Sequence, residues 1–132
     1  MIGYFGSVEK QTLKNTYFRR VLYTGEHAQL VLMSLKAGEE IGNEVHPDVD
    51  QFLRVEQGKF RFVLDNGTET HVAGPGDAVI VPAGTWHNVI NVSTGRSKLY
   101  TVYSPPNHPD GTIHKTKKEA ELAEKAEHKT GR

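Results

Sequence analysis

Gly76-Asp77-Ala78-Val79-Ile80-Val81-Pro82-Ala83-Gly84-Thr85-Trp86-His87-Asn88-Val89-Ile90-Asn91 is the run on which the reading of this chain turns. Residues 78–81 and 87–92 are short, rich in β-branched residues, and read as strands. Pro82-Ala83-Gly84 between them reads as a turn. His87 stands at the start of the second strand, so the turn returns a potential metal ligand toward whatever the first strand lines.

A second run supplies the partners. Gly38-Glu39-Glu40-Ile41-Gly42-Asn43-Glu44-Val45-His46 continues through Gln51 to Gly58. Residues two apart on an extended chain point to the same side, so Glu44 and His46 can address one ion. Pro47 ends regular pairing there. Gln51 opens the apolar segment Phe52-Leu53-Arg54-Val55 and can turn inward from the far side of the bend. Glu44, His46, Gln51 and His87 are thus the candidate metal ligands. Two imidazoles and one carboxylate form the set used by open-coordination iron sites, and an amide oxygen adds a fourth donor. The ion expected is divalent, and the donors suit Zn, Mn, Fe or Ni. Asp48 and Asp50 are nearby alternative carboxylates. Glycines 38, 58, 76 and 84 are read as turn residues that shape the site.

The rest of the body also reads as strands. Residues 16–24 and 28–35 flank a turn at Gly25-Glu26. Residues 60–64 and 68–72 flank Asp65-Asn66-Gly67, where Asn-Gly favours a type I′ hairpin turn. Residues 99–103 add another strand. Many short strands at near-regular spacing indicate a sandwich or barrel. Alternation puts Leu53 and Val55 inward with Gln51, and Arg54 outward. It also groups Phe60, Phe62 and Leu64 on one face, and Leu99, Thr101 and Tyr103 on another. Beyond Ser104 the character changes. Pro105-Pro106-Asn107-His108-Pro109-Asp110-Gly111 is irregular, and residues 117–129 are helical in composition, with Leu122 as the only large apolar residue. That helix is expected to be exposed. The division is therefore a barrel over 1–104, with its site motifs at 38–58 and 76–91, and a loop and charged helical tail over 105–132.

The chain of 132 residues has a formal net charge of zero and no cysteine. Zero net charge supplies no field for nucleic acid or an anionic membrane. The lack of cysteine excludes disulfides, thiolate metal sites and Cys nucleophiles. The first ten residues do not form a secretory signal, and no apolar run approaches the roughly 20 residues that span a bilayer. A soluble, cytoplasmic protein that binds neither nucleic acid nor membrane is expected.

The two motifs carry a family resemblance. Gly76…Pro82-Ala83-Gly84…His87…Asn91 resembles the second cupin motif at every signature position. Gly38…Glu44-Val45-His46…Gln51…Gly58 resembles the first, with two departures: Glu44 stands where a His is expected, and Gln51 where a Glu is expected. His46 matches. The resemblance implies an all-β fold, a single cupin-type jelly-roll barrel with a short C-terminal helical tail. It also implies an altered metal centre that keeps two His and one carboxylate, and a homodimer associating through its sheets.

Three functions follow as expectations. The first is a metal-dependent isomerase of a sugar or sugar phosphate, because the Gln, His, Glu, His inventory is similar to that of cupin-type phosphomannose isomerases, although the order differs. Glu44 and His114 are then the candidate catalytic bases, His114 lying on a 107–114 loop able to cover the barrel mouth. The second is an iron or manganese dioxygenase using Glu44, His46 and His87. The third is a non-catalytic module binding a small ligand. His27 and His71 are read as packed or surface residues.

Overall fold

The computed structural model describes residues 2–129. It begins with an element the sequence reading does not contain, helix α1 (Val8–Lys14). Ser7 caps it by accepting a hydrogen bond from the Lys10 N–H at 3.2 Å. Seven residues with no apolar stripe are marginal as an isolated helix, so tertiary contact sustains this one. The helix lies against the outer face of the larger sheet, and buried Lys98 donates from Nζ to the Leu13 carbonyl.

Strands β1 (Arg19–Thr24) and β2 (Gln29–Leu35) form the expected hairpin, closed by Gly25 N–H donating to the Ala28 carbonyl at 2.8 Å. They are followed by β3 (Asp50–Gln57), β4 (Phe60–Leu64), β5 (Glu69–Ala73), β6 (Ala78–Val81), β7 (His87–Asn91) and β8 (Ser97–Ser104). Asn66 and Gly67 have φ of 52° and 95° in the β4–β5 connection, the positive values a type I′ turn requires. A short strand β9 (Ile113–His114) precedes helix α2 (Lys117–Lys129).

The strands form two antiparallel sheets. One has the order β6-β3-β8-β2-β1-β9 and the other β5-β4-β7. Their facing sides make the core, with Val31, Met33, Leu53, Val55, Phe60, Phe62 and Leu99 all fully buried. Each such side chain stabilises the fold by about 1.5–3 kcal/mol relative to exposure. The alternation read from sequence holds: Leu53 and Val55 face inward with Gln51, and Tyr103 and Thr101 with Leu99. Asn91 fastens the sheet ends. Its Nδ2 lies within 3.0 Å of the Leu35, Lys36 and Gly95 carbonyls, and its Oδ1 accepts from Ser97 Oγ at 2.7 Å.

The tail is more closely tied to the barrel than its composition implies. Residues 113–114 pair with Arg20 and Arg19 of β1, adding a strand to the larger sheet. Thr116 and Glu119 start α2 with a reciprocal capping box: the Glu119 N–H donates to Thr116 Oγ1 at 3.2 Å, and the Thr116 N–H to a Glu119 carboxylate oxygen at 3.1 Å. Leu122 faces solvent, as expected, but Ala120 is buried in the core cluster. A methyl side chain lets the helix backbone approach closely, which a search for large apolar residues misses. Among the described residues no helix is long and apolar enough to cross a membrane.

Gly58 links β3 to β4 at φ 80°, and a Cβ built there would meet Ser97 Oγ at 2.0 Å and Ser97 Cα at 2.9 Å. Gly38 has a similar φ of 76° but open space around it. Gly58→Ala should therefore lower unfolding free energy by about 2–4 kcal/mol, strain and overlap together, and Gly38→Ala by about 1–2 kcal/mol. Denaturant titration of the two variants checks the difference.

Candidate metal centre

The segment before β3 is irregular, yet it is stitched to β7. Ile41 N–H donates to the Val89 carbonyl at 2.9 Å, and Glu44 and His87 exchange both backbone hydrogen bonds at 2.9 Å. Gly84 N–H then donates to the His46 carbonyl at 2.9 Å. The first motif is thereby locked against the second, and the side chains of Glu44, His46 and His87 converge. One donor atom from each lies within 4.8 Å of the others. Glu44 Oε1 is 3.3 Å from His46 Nε2 and 3.7 Å from His87 Nε2. The two imidazole rings are tilted, with centroids 5.2 Å apart.

These contacts have ion-pair distances but not hydrogen-bond geometry. His46 Nε2 and His87 Nε2 are both buried without a hydrogen-bond partner among the described residues. Buried polar atoms are ordinarily satisfied. Two orphaned imidazole nitrogens beside a carboxylate are the pattern expected of a ligand set. His87 is also oriented for the task. Its Nδ1 lies 2.9 Å from the Thr85 carbonyl, which can only accept, so Nδ1 carries the proton and Nε2 presents its lone pair to the site.

Burial opposes ionisation of Glu44, but the two imidazoles more than offset it and hold the carboxyl at about 2. Burial likewise disfavours a charged His87, but Glu44 and the Thr85 carbonyl outweigh it and raise its pKa above the ordinary value. In both cases the close contact of the carboxylate with the imidazoles, and not burial, sets the direction.

Gln51 lies on the inner face of β3, paired in register with Tyr103, whose ring meets the His46 ring edge-on at 5.8 Å. Thr101 Oγ1 gives its single proton to the Phe52 carbonyl at 2.8 Å, so it must accept from the Gln51 NH₂ at 3.0 Å. That fixes the amide, and leaves Gln51 Oε1 buried without a hydrogen-bond partner among the described residues. Asp50 is occupied elsewhere, its Oδ1 accepting from the Ala83 N–H at 2.9 Å.

Above the triad is a cavity of about 450 Å³, lined among others by Glu44, His46, Trp86 and His108. This is the size of a small-molecule site. The 107–114 loop does cover the mouth. Fully buried Gln29 clamps it: Oε1 accepts from the Asn107 and His108 N–H groups at 3.1 and 3.0 Å, and Nε2 donates to the His108 carbonyl at 2.7 Å. Burial and the charge of Arg19 lower the His108 pKa to about 3. Burial raises that of Tyr103, which stays a phenol. His114 lines the cavity too, with Nδ1 3.3 Å from Arg19 Nη1. Arg19 is absent from the sequence reading. The signal available was alternation: Arg19 lies two residues before Val21, whose side chain faces the core. His27 and His71 are exposed, each beside a neighbouring glutamate.

A jelly-roll barrel with two histidines and a carboxylate at its mouth defines a cupin with a candidate metal centre. The Cupin domain family matches residues 31–103, and the chain belongs to that family. It is similar to the uncharacterized protein YrkC of Bacillus subtilis, at 49% identity over 89% of this chain and 66% of that protein. An uncharacterized protein of Acanthamoeba polyphaga mimivirus is 50% identical over 83% of this chain and 70% of its own length. The chain thus spans about two thirds of these relatives. The crystal structure of BH2720 from Bacillus halodurans superposes with a TM-score of 0.88 at 45% identity, covering 90% of this chain and 93% of that one.

In chelator-treated protein the ion pair of protonated His87 with Glu44 should be visible in stability. Because the folded pKa of His87 is raised above 6.5, its contribution is fully present below pH 6.5 and is lost as pH rises through the folded value. Melting temperature measured over roughly pH 6 to 9 should show that fall. Glu44→Gln should flatten it.

Proposed function

We propose that this cupin is a metal-dependent enzyme acting on a small oxygenated molecule, with dioxygenase-type iron chemistry as its reaction class. The observation that carries the reading is the Glu44, His46 and His87 donor set, with both Nε2 atoms orphaned, beneath a cavity of about 450 Å³. Glu44, His46 and His87 would hold the ion, and Gln51 Oε1 is the further donor on the same interior face. Two His and one carboxylate leave coordination positions open, so a bound iron supplies sites for substrate and oxygen.

The chain's own groups do the rest. Thr85 fixes the His87 tautomer, and Tyr103 packs against the edge of His46. The Gln29-clamped loop and helix α2 bound the cavity and limit the entry of water. Tyr103 remains a hydrogen-bond donor and His108 a neutral imidazole at neutral pH.

The sugar-isomerase reading draws less support from this mouth. Proton transfer between carbons calls for a base with a pKa near the working pH. His108 is too acidic when protonated, Tyr103 is held as a phenol, and the Nδ1 of His114 faces the Arg19 guanidinium. Glu44 is taken by the two histidines.

Protein purified without chelator should carry one divalent ion per chain by elemental analysis. His46→Ala and His87→Ala should each weaken iron binding by about tenfold or more. The iron-loaded protein should take up oxygen when offered a panel of small hydroxy and keto acids, and the zinc-loaded protein should not. Wild-type protein without stoichiometric metal would sink the reading. Metal without oxygen uptake on any substrate would point instead to a binding module.

A further inference from the structure

Arg19 is not used by the metal reading, yet it is an unusual residue in this mouth. Its side chain is inward-facing on β1, and the residue is 2% exposed. A guanidinium in such a place ordinarily needs a close ion pair and filled hydrogen bonds. Here the pairing is incomplete. Nη1 lies 3.3 Å from His114 Nδ1, and 3.6 Å from an oxygen of Glu124 on α2, beyond a good hydrogen bond. Phe18 contributes its ring face, 5.4 Å from the guanidinium carbon. Nε is buried with no hydrogen-bond partner among the described residues. The group lines the same cavity as Glu44 and His46.

We propose that Arg19 recognises a carboxylate of the ligand, so that the molecule taken into the cavity is a small carboxylic acid whose other oxygen functions face Glu44, His46 and His87. The placement at the metal end rests on the function proposed above; the carboxylate contact itself does not.

Three observations favour a carboxylate. A planar guanidinium matches a carboxylate with two parallel N–H···O bonds, and Arg19 still has a donor to give. The protein already sets a carboxylate against it: Glu124 stands at 3.6 Å with its side chain 51% exposed, close enough to mark the position and loose enough to be displaced. The charge also fits a monoanion. Arg19 is the sole Lys or Arg among the described residues lining the cavity, and Glu124 stands beside it, so at the end away from the ion a dianionic phosphate would meet one cation and a competing carboxylate. His114 is then a positioning residue, its Nδ1 steadying Nη1 from the neighbouring strand.

The test titrates glycolate, and its neutral counterpart glycolamide, into zinc-loaded full-length protein by calorimetry, zinc being redox-inert. Glycolate should bind more tightly than glycolamide. Arg19→Gln should weaken glycolate by about tenfold or more and leave glycolamide and zinc affinity unchanged. Glu124→Gln, a change on the exposed side of the pair, should tighten glycolate by removing its competitor. Equal binding of acid and amide would overturn the proposal. So would glycolate affinity unmoved in Glu124→Gln, or inorganic phosphate binding more tightly than glycolate in an Arg19-dependent way. If wild-type protein takes up no zinc, the metal reading fails by itself. Acetate titrated into chelator-treated protein then decides on Arg19: binding that Arg19→Gln abolishes upholds the carboxylate contact, and binding it leaves unchanged, or no binding to the wild type, refutes it.

Discussion

Two backbone hydrogen bonds between Glu44 and His87, each 2.9 Å long, are the constraint from which the chemistry of this molecule follows. In such an antiparallel pair the two side chains project from the same side of the sheet. Once the backbones are joined, Glu44 and His87 have to meet. His46 follows two residues later and is tied by its own carbonyl to Gly84. The donors therefore converge through main-chain pairing that costs no side-chain freedom. The core between the two sheets supplies the rigidity that makes the seam permanent, and Asn91 anchors its far end to the Leu35 and Lys36 carbonyls.

Buried polar groups in this protein fall into two kinds. Asn91 and Gln29 have their capacity filled, and both act as fasteners, one for the sheet ends and one for the loop over the mouth. Among the described residues His46 Nε2, His87 Nε2, Gln51 Oε1 and Arg19 Nε are left without a hydrogen-bond partner, as are Tyr4 Oη and Arg54 Nε away from the site. Local rules tend to be broken where function requires it. Here four of the unfilled groups collect in the barrel interior and its mouth.

Much of the barrel was legible because its signals are local. Alternation at 51–55 and 60–64, the Asn66-Gly67 turn and the His46 and His87 positions need no knowledge of distant residues. What escaped the reading depends on distant contacts. Helix α1 has no stripe of its own and exists because it lies on the larger sheet. Helix α2 docks through Ala120, whose small side chain carries little hydropathy signal. Arg19 reads as a surface charge until Val21 is seen to fix the strand's inner face, and its partners His114 and Glu124 lie about a hundred residues away.

The short strand β9 has a role beyond shaping the cavity. A sheet edge offers an unpaired row of N–H and C=O groups to any other extended chain. On the β1 side the first part of that row is filled: Arg19 and Arg20 pair with His114 and Ile113, and Val21 N–H donates to the Thr112 carbonyl at 2.9 Å. A foreign strand could add there only by first peeling the tail away. The segment that lines the mouth thus also covers part of one edge of the larger sheet, and its loss would expose the edge of β1 at Arg19–Val21 at the same time.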